Sequence, residues 1–359
     1  MTTAFDPLTL GASTLRNRIG MAPMTRNRAY GPGGSPTEHV AEYYAQRASA
    51  GLIITEGTQP SVIGQGYPNT PGLHTADQIA AWRTVTDAVH AKGGVIFAQL
   101  MHTGRIGHPT LLPDDLTPVG VSAVTANGQV FTGTGMADFV APVELTDAEI
   151  SQTIADFAAA ARNAIDAGFD GVELHGANGY LIHQFLANNT NQRTDRWGGT
   201  VDGRIRFAVE VATAVAAAIG PERTALRLSP GNPYNDIVDS DYADTYPALV
   251  DALNPLGLAY LHVVEALPPI RDLTLRLRKE WTGAFLLNPF TPGRPTGPEE
   301  LALIEDGTAD VITFGSLYLA NPDLPERLAA GGPFNTPDPA TFYGGDERGF
   351  TDYPALSTV

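Results

Sequence analysis

The sequence predicts an α/β fold, a (β/α)8 TIM barrel read as one domain over residues 1–359, on three observations. Eight short apolar runs recur along the chain, each is followed by a stretch with helical apolar spacing, and the runs are continuous in their apolarity. Continuous runs suit parallel strands buried on both faces, and eight is the count that closes such a barrel. The predicted strands are 19–23, 52–56, 95–100, 171–175, 224–228, 258–264, 284–287 and 311–314.

The helices between them carry start and stop signals. Ser35-Pro36-Thr37-Glu38 offers an N-cap serine, proline at the first helical position and a carboxylate three residues after the cap. Thr75 with Gln78, Thr146 with Glu149 and Thr296 with Glu299 repeat the capping-box spacing. Ile154, Phe157, Ala158 and Ala161 share one helical face, as do Phe207, Val211, Val215 and Ile219 before a stop at Gly220. The sixth helix, within 266–281, reads poorly because Pro268-Pro269 interrupts it. Residues 104–141 are rich in Gly, Pro and Thr, lack a helical period, and fall between the third strand and its helix, where barrels place cover over an active site. Residues 331–359 form a Pro/Gly/Asp-rich tail.

Composition removes whole classes of function. With 22 basic and 39 acidic side chains the net charge is −17, and the only lysines are Lys92 and Lys279. A nucleic-acid face or a polybasic membrane anchor needs clustered cations, so neither is expected. The absence of cysteine excludes disulfides, thiolate metal sites, iron–sulfur clusters and a thiol nucleophile. No metal site is expected: the eight histidines include no His-x-x-x-His with a carboxylate partner, and His183 reads as helix packing. No signal peptide or membrane span is visible, which makes a cytoplasmic location the expectation.

In such a barrel the residues at the C-terminal strand ends face the active site. The ends read Ala22-Pro23-Met24-Thr25-Arg26, Glu56-Gly57-Thr58, Gln99 followed by Met101-His102, His175-Gly176-Ala177-Asn178-Gly179-Tyr180, and Arg227-Leu228-Ser229-Pro230. Neutral donors, one guanidinium, a histidine and a tyrosine converge, with no carboxylate pair for acid/base work.

The stretches NRIGMAPMTRNRA, EYYAQRA, PGLHTADQIAAW, QLMHTGR, HGANGYLIHQFL, NQRTDRWGG, RLSP, ANPDLPERL and TFYGGDERGFTDYP, in this order, resemble the Old Yellow Enzyme family of flavin-dependent ene-reductases over nearly the whole chain. The resemblance implies FMN at the top of the barrel, with NAD(P)H as reductant and a small activated alkene (enone, enal, maleimide or nitroalkene) as substrate. It implies that Pro23, Met24, Thr25, Gly57, Gln99 and Arg227 surround the flavin ring, and that Asn288, Gly315 and Ser316 stand at its phosphate. It further implies that His175 and Asn178 hydrogen-bond the substrate oxygen, that Tyr180 protonates the α-carbon, and that Tyr67, Met101 and Phe350 shape the substrate pocket. Met101 stands where many relatives carry tryptophan. Nitro or nitrate-ester reduction at the same site is a second reading.

Two departures from the family fall on the phosphate cradle. The glycine-rich turn after the seventh strand is here Asn288-Pro289-Phe290, and proline supplies no N–H. The Gly-Arg after the eighth strand is Gly315-Ser316, which loses a charge-assisted contact. Three accounts stay open at this point: Arg294 replaces the charge and FMN binds; a deazaflavin with a tail beyond its phosphate binds instead; or the chain holds no flavin and is a non-redox, ligand-binding barrel.

Overall fold

A computed structural model describes residues 2–267 and 270–356. Eight parallel strands close into a barrel in chain order: β1 (Ile19–Met21), β2 (Leu52–Ile54), β3 (Ile96–Leu100), β4 (Gly171–Gly176), β5 (Thr224–Leu228), β6 (Tyr260–Val264), β7 (Ala284–Asn288) and β8 (Val311–Phe314), the last pairing with β1. Every predicted run becomes a strand. β1 and β2 end two residues before their runs do, where the chain turns into the upper rim, and β3 and β6 begin one and two residues after theirs.

Helices α1 (Glu38–Gln46), α2 (Ala76–His90), α3 (Asp147–Asp166), α4 (Val201–Ile219), α5 (Tyr242–Leu253), α6 (Arg271–Glu280), α7 (Ala302–Glu305) and α8 (Leu324–Ala330) follow the strands outside the barrel. The capping boxes at Thr75 and Thr146 form as the spacing predicts, and α4 stops at Gly220 with φ 92°. Two predicted caps shift. Thr37, not Ser35, stands at the N-cap position of α1, without a side-chain capping bond, and Ser35 closes a tight turn by donating its hydroxyl to Pro32 O. Before α7 the cap is Gly297, whose N–H is accepted by Glu300, because Pro298 takes the first helical position. Helix α6 begins only at Arg271; Pro268 and Pro269 lie outside the described residues.

Below the barrel a hairpin of Leu8–Leu10 and Ser13–Leu15, not anticipated from the pattern, closes the lower mouth. Its Leu10 and Leu15 pack with the inward residues Leu52, Ile54, Phe97, Tyr260, Leu286 and Val311 into a dry bottom layer. Gly11 makes the approach possible: its φ is +53°, and a Cβ there would stand 1.9 Å from Glu222 O, against which Ala12 N–H bonds.

The 104–141 insertion holds a second hairpin, Gln129–Phe131 with Met136–Asp138, over the upper mouth. Arg193 closes its base by donating to Val121 O and Leu145 O. Arg26 and Arg28, above β1, and Arg47, at the end of α1, fasten the C-terminal tail: Arg26 donates to Phe342 O and Gly349 O, Arg28 to Thr341 O and Asp346 O, and Arg47 to Phe350 O and, before the tail, to Leu319 O. Truncating the bottom plug tests the packing. Leu15→Ala is expected to cost about 2–5 kcal/mol, read as a lower urea midpoint with an unchanged slope.

Candidate active site

The bottom of the barrel is apolar and its upper half is polar, and the change occurs within one strand register. Gln99 and Glu173 are neighbours across β3 and β4, His175 and Arg227 across β4 and β5, and Arg227 and His262 across β5 and β6. Alternation along a strand therefore turns Glu173 and His175 inward together, two residues apart.

Glu173 is fully buried and accepts three hydrogen bonds, from Gln99 Nε2 at 2.8 Å, Tyr260 Oη at 3.1 Å and His262 Nδ1 at 2.8 Å. Burial pushes its carboxyl up, and His262, Arg227 and the Gln99 amide together outweigh this and leave it below the ordinary carboxylate value. Burial holds His262 below the ordinary imidazole value, so the ring is neutral, with Nε2 accepting from the Thr313 hydroxyl at 3.0 Å. Because a carboxylate can only accept, Gln99 must present Nε2 to Glu173, which leaves Oε1 for the cavity above.

That cavity, of about 330 Å³, is lined by Pro23, Met24, Thr25, Gln99, Met101, His175, Asn178, Tyr180, Arg227, Gly315 and Ser316, with Tyr234, Leu319, Phe342 and Tyr343. Arg227 is its only cationic lining residue among those described. Its Nε is buried without a hydrogen-bond partner, and the nearby Glu173 carboxylate supplies its counter-charge.

Two donors are oriented from behind. His175 Nδ1 accepts from Ala177 N–H, so Nε2 carries the proton and faces away from that bond. Burial, reinforced by Arg227, holds its pKa well below the ordinary value, so His175 is a neutral donor. Asn178 sits in the left-handed region at φ 56°, its N–H bonded to Ser229 Oγ and its Oδ1 accepting from Asn232 Nδ2, which leaves Nδ2 as a donor. Tyr180 lies beside them with its ring centroid 4.9 Å from that of His175. Its hydroxyl is 3.1 Å from that of Tyr67, and burial raises its pKa well above the ordinary phenol value, so it stays protonated.

A profile of the NADH:flavin oxidoreductase / NADH oxidase family matches residues 3–335. Rice 12-oxophytodienoate reductase 1 is 41% identical over 363 residues, covering 98% of this chain and 93% of its own length. A Leishmania infantum protein named as a probable flavin mononucleotide-dependent alkene reductase is 43% identical over 358 residues, covering 98% and 96%. Among solved structures, morphinone reductase in complex with tetrahydroNAD superposes with a TM-score of 0.93 at 42% identity, covering 99% of this chain and 98% of that one. The Zymomonas mobilis Old Yellow Enzyme homologue gives 0.93 at 40%, covering 99% and 100%. The chain belongs to the Old Yellow Enzyme family.

Most of the expected site residues of this family member meet at one cavity; four do not line it. Gly57 is covered by Met101, and a Cβ there would lie 2.5 Å from the Met101 thioether, so Gly57 makes room for Met101 and does not border the cavity. Asn288 turns its amide sideways to donate to Thr313 O at 2.9 Å, joining the ends of β7 and β8. Phe350 is in the core, stacked on Tyr43 at 4.2 Å and covered by the guanidinium groups of Arg26 and Arg28. Tyr67 lines an adjoining cavity of about 540 Å³ that meets the first at Thr25, Tyr180, Tyr234 and Tyr343. His183 packs as expected, accepting from Gly179 N–H and bonding Tyr246 Oη at 3.1 Å. Sequence reasoning missed Tyr234, Phe342 and Tyr343 because they sit in aperiodic loops; the TFYGGDERGF stretch was the one signal for the last two.

For a flavin, the ring end fits the residues present. Arg227 is a cation whose Nε has no hydrogen-bond partner, and Gln99, with Nε2 given to Glu173, leaves Oε1 for the pyrimidine edge. At the anchoring end no cation lines the cavity among the described residues: Arg294 is paired with Glu300, with bonds of 2.9 and 2.5 Å, and does not border the cavity.

Glu56 sets the turn that carries Thr25, its Oε2 accepting Arg26 N–H at 3.0 Å. Burial pushes its carboxyl up to about 7. The folded state therefore holds this proton more tightly than the unfolded chain, whose value is near 4.5. The resulting stability is full below pH 4.5, falls as pH rises, and is gone above about 7. Glu56→Gln is expected to flatten the stability–pH curve across that window by roughly 3 kcal/mol, measured by denaturant melts at stepped pH. Glu173 has the opposite sign, since its folded value is depressed and its contribution is lost as pH falls. Glu173→Gln places an amide against donors already committed and leaves Arg227 without its counter-charge. It is expected to destabilise the fold by about 3–5 kcal/mol at neutral pH in the same melts.

Proposed function

We propose that this protein is an ene-reductase that adds a hydride and a proton across the double bond of an activated alkene. The observation that carries this reading is the convergence of His175 Nε2–H and Asn178 Nδ2–H on one cavity with the protonated Tyr180 hydroxyl beside them. Gln99, Arg227 and Thr25 would hold a flavin, which when bound and reduced would supply the hydride. His175 and Asn178 donate to the carbonyl or nitro oxygen of the alkene and stabilise the negative charge that gathers there as the β-carbon is reduced. Because His175 is neutral, it holds its proton and polarises the oxygen without giving it up. Tyr180 gives its phenolic proton to the α-carbon, and the Tyr67 hydroxyl at 3.1 Å is the nearest group to steady the oxygen left behind. Arg227 stays charged beneath the site and would favour negative charge on a ring bound above it.

FMN is the flavin that the family description and the Leishmania relative's name support, with a pyridine nucleotide as its reductant. The substrate reading is a neutral enone, enal, maleimide or nitroalkene. The adjoining cavity is walled by Phe131, Met136, Phe139 and Tyr343 and has no charged lining residue among those described, which suits an apolar body. Tyr180→Phe removes the proton donor and leaves the two oxygen donors. It should lower alkene turnover about 10²–10⁴-fold in stopped-flow oxidation by 2-cyclohexenone, while reductive loading of the cofactor keeps its rate. Equal loss in both half-reactions would remove Tyr180 from this role.

A further inference from the structure

Barrels of this class place a cofactor phosphate in the loops after β7 and β8, beside a short extra helix. The short helix is present as Ser316–Ala320, and Gly315 and Ser316 line the first cavity at its half-exposed edge. What surrounds them is poor in positive charge and already committed. Pro289 has no N–H. The next N–H, of Phe290, is donated at 3.1 Å to Glu265, a buried carboxylate that also takes both arms of Arg271 at 2.6 and 2.7 Å. The Asn288 amide is taken by Thr313 O. Arg294, the only cation in the loop after β7, is paired with Glu300 and stands 3.7 Å from Glu299. A phosphate monoester here would bring close to two negative charges to an edge that offers the Ser316 hydroxyl and the first backbone N–H groups of a five-residue helix, no unpaired guanidinium among the described residues, and the Glu265 carboxylate behind the loop.

We infer that this end of the site is built for a phosphate esterified on both sides, which carries one negative charge, so that the ring cofactor of this chain bears a tail continuing past its phosphate into the half-exposed edge at Gly315 and Ser316. The inference rests on the ring site assigned above and departs from FMN, the cofactor that the relatives' names support, at the phosphate end alone. A 5-deazaflavin with a phosphodiester tail has this form; FMN does not. Ser316 is the specificity-determining residue, because an arginine there would meet a monoester dianion with a charge-assisted pair worth about tenfold or more in affinity.

Calorimetric titration of the full chain, freed of any bound cofactor, with riboflavin, FMN and a phosphodiester-tailed 5-deazaflavin reads this without turnover. FMN is expected to bind less than tenfold more tightly than riboflavin, and the tailed deazaflavin at least tenfold more tightly than FMN. Ser316→Arg should raise FMN affinity tenfold or more and leave riboflavin unchanged. Arg294→Ala, on an exposed loop, should leave the FMN-to-riboflavin ratio as it was. An FMN preference of tenfold or more over riboflavin in the unaltered chain, a loss of FMN affinity alone in Arg294→Ala, or a tailed deazaflavin binding no better than FMN overturns the inference. Absence of alkene reduction with this affinity order intact would count against the proposed activity and leave the anchoring argument standing.

Discussion

One carboxylate at the centre of the barrel governs how the site is arranged. Glu173 is surrounded by donors, and each bond it accepts has a consequence above it. It holds Gln99 with Nε2 down and Oε1 up, sets His262 as a neutral ring with its proton on Nδ1, and supplies the negative charge against which Arg227 can stay ionised in the interior. A guanidinium with a buried, unpartnered Nε is costly on its own. Its persistence at the cavity wall is supported by the charged neighbour below it, and on the proposed function it would meet a negatively charged ring from above.

The same logic of support from behind extends through the rim. His175 is oriented by the Ala177 N–H, Asn178 by Asn232 and Ser229, and Thr25 through the Glu56 carboxylate on the next backbone N–H. These supports are short-range polar bonds on the strand ends, so they hold the donors with little freedom to lose when an oxygen arrives. The tail and the insertion are fastened in another way, by buried arginines that donate to backbone carbonyls. Arg26, Arg28, Arg47, Arg105 and Arg193 all do so. Their forks reach several carbonyls at once, which a lysine could not do with the same geometry, and this gives the two-lysine composition a structural use.

How much of this the sequence disclosed follows the range of the forces involved. The eight strands were legible because burial on both faces writes itself as unbroken apolar runs, and the boxes at Thr75 and Thr146 because a cap is decided within four residues. Ser35 and Thr296 misled because a tight turn and a proline displaced each cap by one or two positions. Phe350 was expected at the pocket and lies in the core, since its place is set by Arg26 and Tyr43, more than 300 residues earlier in the chain. Tyr234 and Tyr343 line the cavity from loops whose sequence has no period to read. Glu173 itself looked like one more residue of a buried strand. Only the register across β3, β4 and β6 shows that three donors converge on it.

The contrast between the two ends of the cavity follows from where each donor's second bond goes. At the ring end, Gln99, His175 and Asn178 each use one polar atom on the protein and keep the other for a ligand, and Arg227 keeps its whole fork. At the anchoring end the corresponding groups are spent inside the protein: Phe290 N–H on Glu265, the Asn288 amide on Thr313, and Arg294 on Glu300. The −17 net charge makes this difference matter more, since no surplus of cations elsewhere on the chain offsets the missing local charge. On the inference drawn above, affinity for a cofactor would come from its ring, where charge and hydrogen bonds are held in reserve, and the phosphate end would select among cofactors mainly by how little negative charge it tolerates.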